Sequence, residues 1–251
     1  MKQSNKIVYN INNNKHDVIY SNNILSTLSK KIKELKSDQK IFFLFDENID
    51  KKIIKEIFLG LKLTGCKIYQ KKIKSLKKNK NLKNLKNLIN IFSDLSLTKK
   101  SIVLVCGGGV IGDLAGLASS LYRRGLIYIN IPSTMTAMVD SCLGGKTGIN
   151  HLNQINLIGT YYHPSSIIIY DKIIKSIPSR EYISGLSEVV KTYILSNNSS
   201  FISIAGKYIV LMPNTPKGGG ISRKIFNPAD RKKIRTILNE IKIPKEMGLI
   251  V

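Results

Sequence analysis

Up to about residue 176, apolar and polar positions follow two rhythms. Lys6–Ile11 and Asp17–Tyr20 alternate as short strands of a hairpin, and Ile41–Phe45, Lys67–Lys72, Ile102–Val105, Ile127–Ile131 and Ser166–Tyr170 read as further strands. Ile24–Leu35, Ile49–Leu63, Leu82–Leu95 and Val110–Tyr122 instead space their apolar residues at helical intervals. Strand and helix in turn predict an α/β fold, a Rossmann-like doubly wound domain on a parallel sheet. From Pro178 the pattern changes. Arg180–Leu195 reads as a helix, Ser196–Ser200 as a polar break, Pro213–Gly220 as a loop, and Asp230–Ile241 as a basic helix closed by Pro244. The expected organisation is an α/β domain over 1–176 and a second, all-helical part over 177–251.

Composition changes this picture little. The 251 residues are 43% hydrophobic, enough for a sizeable core. The formal net charge of +24 is mostly lysine with few aromatics interleaved, in a chain rich in Asn and Ile throughout. It reads as solvated surface, with no specific nucleic-acid partner, though a positive field favours an anionic ligand. No apolar run is long enough to cross a membrane, and the polar Met1–Lys6 shows no secretory signal. Cys66, Cys106 and Cys142 lack metal-type spacing and fit reduced thiols in the cytoplasm.

The candidate chemistry begins at Gly107-Gly108-Gly109. The triplet follows an apolar strand and opens a helix, so bare backbone and free N–H groups face any anion placed there. Asp46 ends an earlier strand, where a carboxylate either holds a ribose hydroxyl or caps the helix beginning near Ile49. Tyr122-Arg123-Arg124-Gly125 offers guanidinium groups suited to phosphate. Ile131-Pro132-Ser133-Thr134 leads to a second glycine-rich run, Asp140 to Asn150, with Lys146 six residues after Asp140. In Gly185–Lys191, Glu188 and Lys191 share one helix face.

Together these segments resemble the 3-dehydroquinate synthase family of sugar phosphate cyclases. Gly107–Gly116 resembles its nucleotide loop, Asp140–Asn150 its DSSxGGKTGIN run, and Gly185–Lys191 its GLAEVIK helix. The resemblance implies a lyase of the shikimate route, acting on 3-deoxy-D-arabino-heptulosonate 7-phosphate with NAD and a Zn2+ or Co2+ ion, in a homodimer. By the same resemblance Gly107, Gly108 and Gly109 cradle the NAD pyrophosphate, and Asp46, Asp113, Ser133 and Thr134 make further nucleotide contacts. Lys80 is the cofactor-side lysine, Asp140 and Lys146 stand where cofactor meets substrate, and Asn156 touches substrate. Arg124 reaches the phosphate in a neighbouring subunit, Lys191 is an active-site lysine, and Glu188 is a metal ligand.

Some positions depart from the family. Lys77 replaces a glutamate and Ile155 a basic residue, and the family's two zinc histidine motifs are missing: the only histidines are His16, His151 and His163. Phe201–Ile204 resembles the continuation of the family's GLAEVIK helix region, and Ile221–Lys224 and Asp230–Lys245 resemble its late helical parts, which implies an internal loss or frame disruption between about Ile204 and Ile221. An NAD-binding remnant without catalysis, and a basic polyanion-binding protein, stand as the competing expectations.

Overall fold

In the computed structural model, residues 6–182 are described apart from 12–13 and 36–39, together with 184, 185 and 188. The strands are β1 (Lys6–Ile11), β2 (Asn14–Ser21), β3 (Lys40–Asp46), β4 (Lys67–Ile73), β5 (Ile102–Gly107), β6 (Ile127–Pro132), β7 (Lys146–His151), β8 (Gln154–Tyr161) and β9 (Ser166–Tyr170). The α-helices are α1 (Ile24–Glu34), α2 (Lys51–Lys62), α3 (Leu82–Asp94), α4 (Gly109–Leu121) and α5 (Asp171–Ser176). Seven strands make one sheet in the order β1-β2-β9-β6-β5-β3-β4. β1 is antiparallel to β2, and every other pairing in this sheet is parallel. The expectation of an α/β fold on a parallel sheet holds.

The central strands explain the layers. β3 and β5 are apolar at successive positions, so both of their faces need cover. Phe42, Leu44, Val103 and Val105 pack with Leu85, Leu88 and Phe92 of α3 and with Leu114 and Ala118 of α4. Ile41 and Phe43 point to the opposite face and are buried as well. The helices pair as α1 on α2 and α3 on α4. Gly60 makes the first pairing possible, since a Cβ there would stand 3.0 Å from the Leu25 backbone.

Local chemistry sets the helix starts. Asn23, Asp50 and Asn81 accept backbone hydrogen bonds from Ser26, Lys52 and Asn84 at 3.2, 2.8 and 2.9 Å. Asp50, not Asp46, caps α2, which overturns the cap alternative for Asp46. α4 differs from these three: Gly108 opens it with no side-chain cap.

The connections define a crevice. From β3 the chain crosses through α2 to β4 on one side, and from β5 through α4 to β6 on the other. The carboxyl ends of β3 and β5 therefore flank the point where the winding reverses, the place where open α/β sheets hold ligands. Asp46 and Gly107 end these two strands.

The antiparallel hairpin of β7 and β8 is a separate two-stranded sheet packed on α4 and α3. A side chain at Gly116 would collide with Thr147, so the glycine brings β7 against α4 and fixes where Lys146 begins the hairpin.

Contacts divide the chain into Met1–Ser176 and Ile177–Val251. In the second unit, residues 179–182 are helical and the Tyr182 amide donates to the Pro178 carbonyl at 3.0 Å. Residues 184, 185 and 188 of the expected helix at 180–195 are helical as well. Its remaining positions, the loop at 213–220 and the basic helix at 230–241 lie outside the described residues. Among the described residues no helix is long and apolar enough to cross a membrane.

Candidate functional site

The glycine loop is built for close approach. A Cβ on Gly108 would stand 3.0 Å from Thr134 Cγ2, and one on Gly109 would stand 3.4 Å from Ser141 Oγ. The segment after β6 lies over the loop because the Ser133 amide donates to the Gly107 carbonyl at 2.9 Å. Thr134 turns its hydroxyl to accept from the Ala137 amide at 3.2 Å, which starts the helical turn over Ala137–Ser141 that carries Asp140. The uncapped first turn of α4 leaves backbone N–H groups and the positive end of the helix facing this loop. These features fit the pyrophosphate of a dinucleotide such as NAD.

Asp46 supplies one acceptor to the same crevice. Its Oδ1 takes the Asn48 amide and the Asn48 side-chain Nδ2, both at 3.0 Å, in a local turn that holds the carboxylate at the strand end.

Distant segments converge on Lys80. This lysine is only 6% exposed and follows the short 3-10 turn Lys77–Asn79. Its ammonium donates to Asp113 Oδ2 on α4 and to Asn156 Oδ1 on β8. Asn150, at the end of the second glycine-rich run and without a role implied by the resemblance, ties the pieces together. Its amide donates to the Lys80 carbonyl at 2.8 Å, its Nδ2 donates to the Lys77 carbonyl at 3.3 Å, and its Oδ1 accepts from the Asn156 amide at 3.0 Å. Asn156 takes its place with a φ of +58°, a left-handed conformation that asparagine tolerates. Beside this knot is a cavity of about 320 Å³, lined by Asp113, Lys146, Thr147, Asn156, Leu157 and Tyr161. Asp113 and Lys146 also face Gly108 and Gly109, so the cavity is continuous in chemistry with the glycine loop.

Burial pushes the Asp113 carboxyl above the usual aspartate range, and nearby Asp140 adds to this while Lys80 pulls the other way. The sign matters for pH. Burial penalises the ionised form, so this group's contribution to stability is greatest below 3.8 and declines as pH rises through its folded value. Binding is expected to run the opposite way, because a protonated Asp113 no longer anchors Lys80. Dinucleotide affinity should fall with acidification from pH 7 to about 4, beginning above the ordinary aspartate value. In Asp113→Asn it should be about tenfold weaker at neutral pH and nearly flat with pH. Calorimetric titration across that range checks both.

The structure thus brings together Gly107, Gly108, Gly109, Ser133, Thr134, Asp113, Lys80, Lys146 and Asn156. Asp140 is exposed and close enough to influence Asp113. Arg124 is elsewhere: it follows the last turn of the 13-residue α4, about 20 Å from the glycine loop. Arg123 and Arg124 both have positive φ, +49° and +62°, and both are exposed. Glu188 is helical and half-buried, and Lys191 lies outside the described residues.

The residues present do not fit a catalytic zinc or cobalt ion. Such a site needs three protein ligands, typically with nitrogen or sulfur among them. No histidine or cysteine follows His163 in the sequence. Among the described residues no group of three His, Cys, Asp or Glu could hold a metal. Glu188 therefore has no imidazole from its own part of the chain.

The sequence and the fold are similar to those of known proteins. Residues 70–184 match the family model described as 3-dehydroquinate synthase N-terminal. Residues 203–251 match a different one, the Ribonuclease E/G family. The 3-dehydroquinate synthase of Dictyoglomus thermophilum is 44% identical over 150 residues, covering 56% of this chain and 42% of that protein. That of Pelagibacter ubique is 34% identical over 252 residues, covering 93% of this chain and 66% of that protein. The chain thus spans 42% to 66% of these relatives' lengths. ValA, the 2-epi-5-epi-valiolone synthase of Streptomyces hygroscopicus subsp. jinggangensis, solved with NAD+ and Zn2+ bound, is 25% identical with a TM-score of 0.65, over 74% of this chain and 51% of that one. A 2-deoxy-scyllo-inosose synthase complexed with carbaglucose-6-phosphate, NAD+ and Co2+ shares the fold at 20% identity and a TM-score of 0.70, over 94% of this chain and 61% of that one. On its motifs, its matched region and these relatives, the chain belongs to the 3-dehydroquinate synthase family.

Proposed function

We propose that residues 1–176 are the NAD- and substrate-binding half of a 3-dehydroquinate synthase, whose substrate is 3-deoxy-D-arabino-heptulosonate 7-phosphate and whose products are 3-dehydroquinate and phosphate. The observation that carries this reading is the convergence of Asp113, Asn156 and Lys146 on one cavity beside an uncapped glycine loop, with Lys80 bonding Asp113 to Asn156 from behind. When bound, NAD accepts and later returns one hydride, which makes the neighbouring C–H acidic enough for phosphate to leave. The chain's own residues bind and orient. Gly107–Gly109 and the α4 N-terminus take the pyrophosphate, and Asp46 takes a ribose hydroxyl. Lys80, held by Asp113, presents Asn156 toward the substrate. Lys146 supplies an ammonium for the substrate's carboxylate. In this reading Arg124 serves the site of a second copy in a cytoplasmic homodimer, which accounts for its place far from the glycine loop.

The absence of imidazoles near Glu188 in sequence favours a second reading, in which the chain binds NAD without completing the elimination. Phosphate release by the purified chain, with NAD, zinc and substrate supplied, separates the two. Release that disappears in Lys146→Ala establishes the synthase. NAD binding by a folded chain with no release establishes the binding-only form.

A further inference from the structure

Lys146 follows a tight turn, and the turn has an unusual wall. Gly145 has a φ of +64° and is buried, and its carbonyl accepts the Tyr162 amide at 2.7 Å. The imidazole of His163 occupies the space where a side chain at residue 145 would stand: a Cβ there would be 2.5 to 2.6 Å from its Cε1, Nδ1 and Nε2 atoms. The ring is braced from behind. His16 of β2 lies 5.6 Å away centroid to centroid and is itself fixed by its Nδ1 contact with the Pro164 carbonyl at 2.8 Å. Tyr9 of β1 stacks on His16 at 5.5 Å with planes 23° apart. A row of three rings thus runs from the sheet edge to the Gly145 backbone. His163 Nδ1 is buried without a hydrogen-bond partner among the described residues, so the ring sits there by shape and by its tilted contact with His16, at a polar cost.

We propose that His163 is a positioning residue, which holds the Gly144–Gly145 turn so that Lys146 is presented to the cavity. The inference rests on the reading of Lys146 as a substrate-binding group. Burial, with a smaller contribution from the charge of His16, holds the His163 imidazole below the usual histidine range, against the pull of the Leu143 backbone, so a neutral ring packs against the turn. A neutral planar group is what the position needs, because a charged one would be poorly solvated there. Glutamine is also neutral, planar and of similar reach, while alanine leaves the wall of the turn open.

The test compares the full chain with His163→Ala and His163→Gln by amide hydrogen exchange and by calorimetric binding of 3-deoxy-D-arabino-heptulosonate 7-phosphate in the presence of NAD. In His163→Ala, exchange over residues 143–147 should be about tenfold faster, with β5 and α4 unchanged. Substrate binding should weaken by a similar factor while NAD affinity is kept. His163→Gln should restore both. Unchanged exchange at 143–147 in the alanine variant overturns the proposal. So does loosening spread equally over β5 and α4, which marks a general packing role, or a failure of glutamine to rescue. If no variant binds substrate, the function proposed above fails, but the exchange of the turn still decides the role of His163.

Discussion

Gly108→Val is expected to weaken NAD binding severely while leaving the fold intact. Position 108 begins α4, with φ −78° and ψ −175°, an extended geometry that valine also adopts. The variant therefore fails through space, not backbone strain. Its Cβ would meet Thr134 Cγ2 at 3.0 Å, and its two methyl groups must go toward that segment or into the anion cradle. Either direction costs about 1–3 kcal/mol and moves the N–H groups away from the pyrophosphate. A loss of about a hundredfold in NAD affinity follows, measured by calorimetry, with an unchanged circular dichroism spectrum. Undiminished affinity in the folded variant would remove the glycine loop from the dinucleotide site.

Asp17→Ala should produce the largest loss of stability. Asp17 is 4% exposed on β2, and Lys31 of α1 is 7% exposed. Lys31 Nζ donates to Asp17 Oδ2 at 2.7 Å, Lys6 of β1 lies 3.0 Å from the same oxygen, and the Ser166 hydroxyl of β9 donates to Oδ1. One carboxylate thus joins the β1–β2 hairpin, α1 and β9. Removing it strands the buried Lys31 ammonium, with only the more exposed Glu34 at 3.7 Å to compensate. Breaking a buried pair from one side costs about 3–5 kcal/mol. The melting temperature should fall by roughly 10 °C. Adding Lys31→Met should return most of the loss, because an apolar pair needs no counter-charge. If Asp17→Ala melts with the parent chain, the cluster contributes nothing net.

The central elements were legible because each carries its own signal. The unbroken apolar runs in β3 and β5 demand cover on both faces, which only a sandwiched parallel strand receives. The helix read over 49–63 begins instead at Lys51, since Asp50 is the residue that can cap it. The hairpin of β7 and β8 went unread as strands. All of β8 is exposed, so no buried alternate positions mark it. Its turn places Leu152 and Asn153 at φ +46° and +61° without a glycine to announce it. The Ribonuclease E/G likeness of the tail was also missed, because helical spacing and a final proline are shared by unrelated families.

The glycine loop, the helix it opens and the family were determined by the sequence alone, because anion binding at a helix start is a matter of neighbouring residues and local backbone freedom. The partnership of Lys80 with Asp113 and Asn156 spans 33 and 76 residues, and only the packing of the hairpin on α4 brings those groups together. The place of His163 was likewise decided by tertiary structure. A loop histidine has no periodic signal, and its meeting with Gly145 depends on three rings packed in a row from the sheet edge inward.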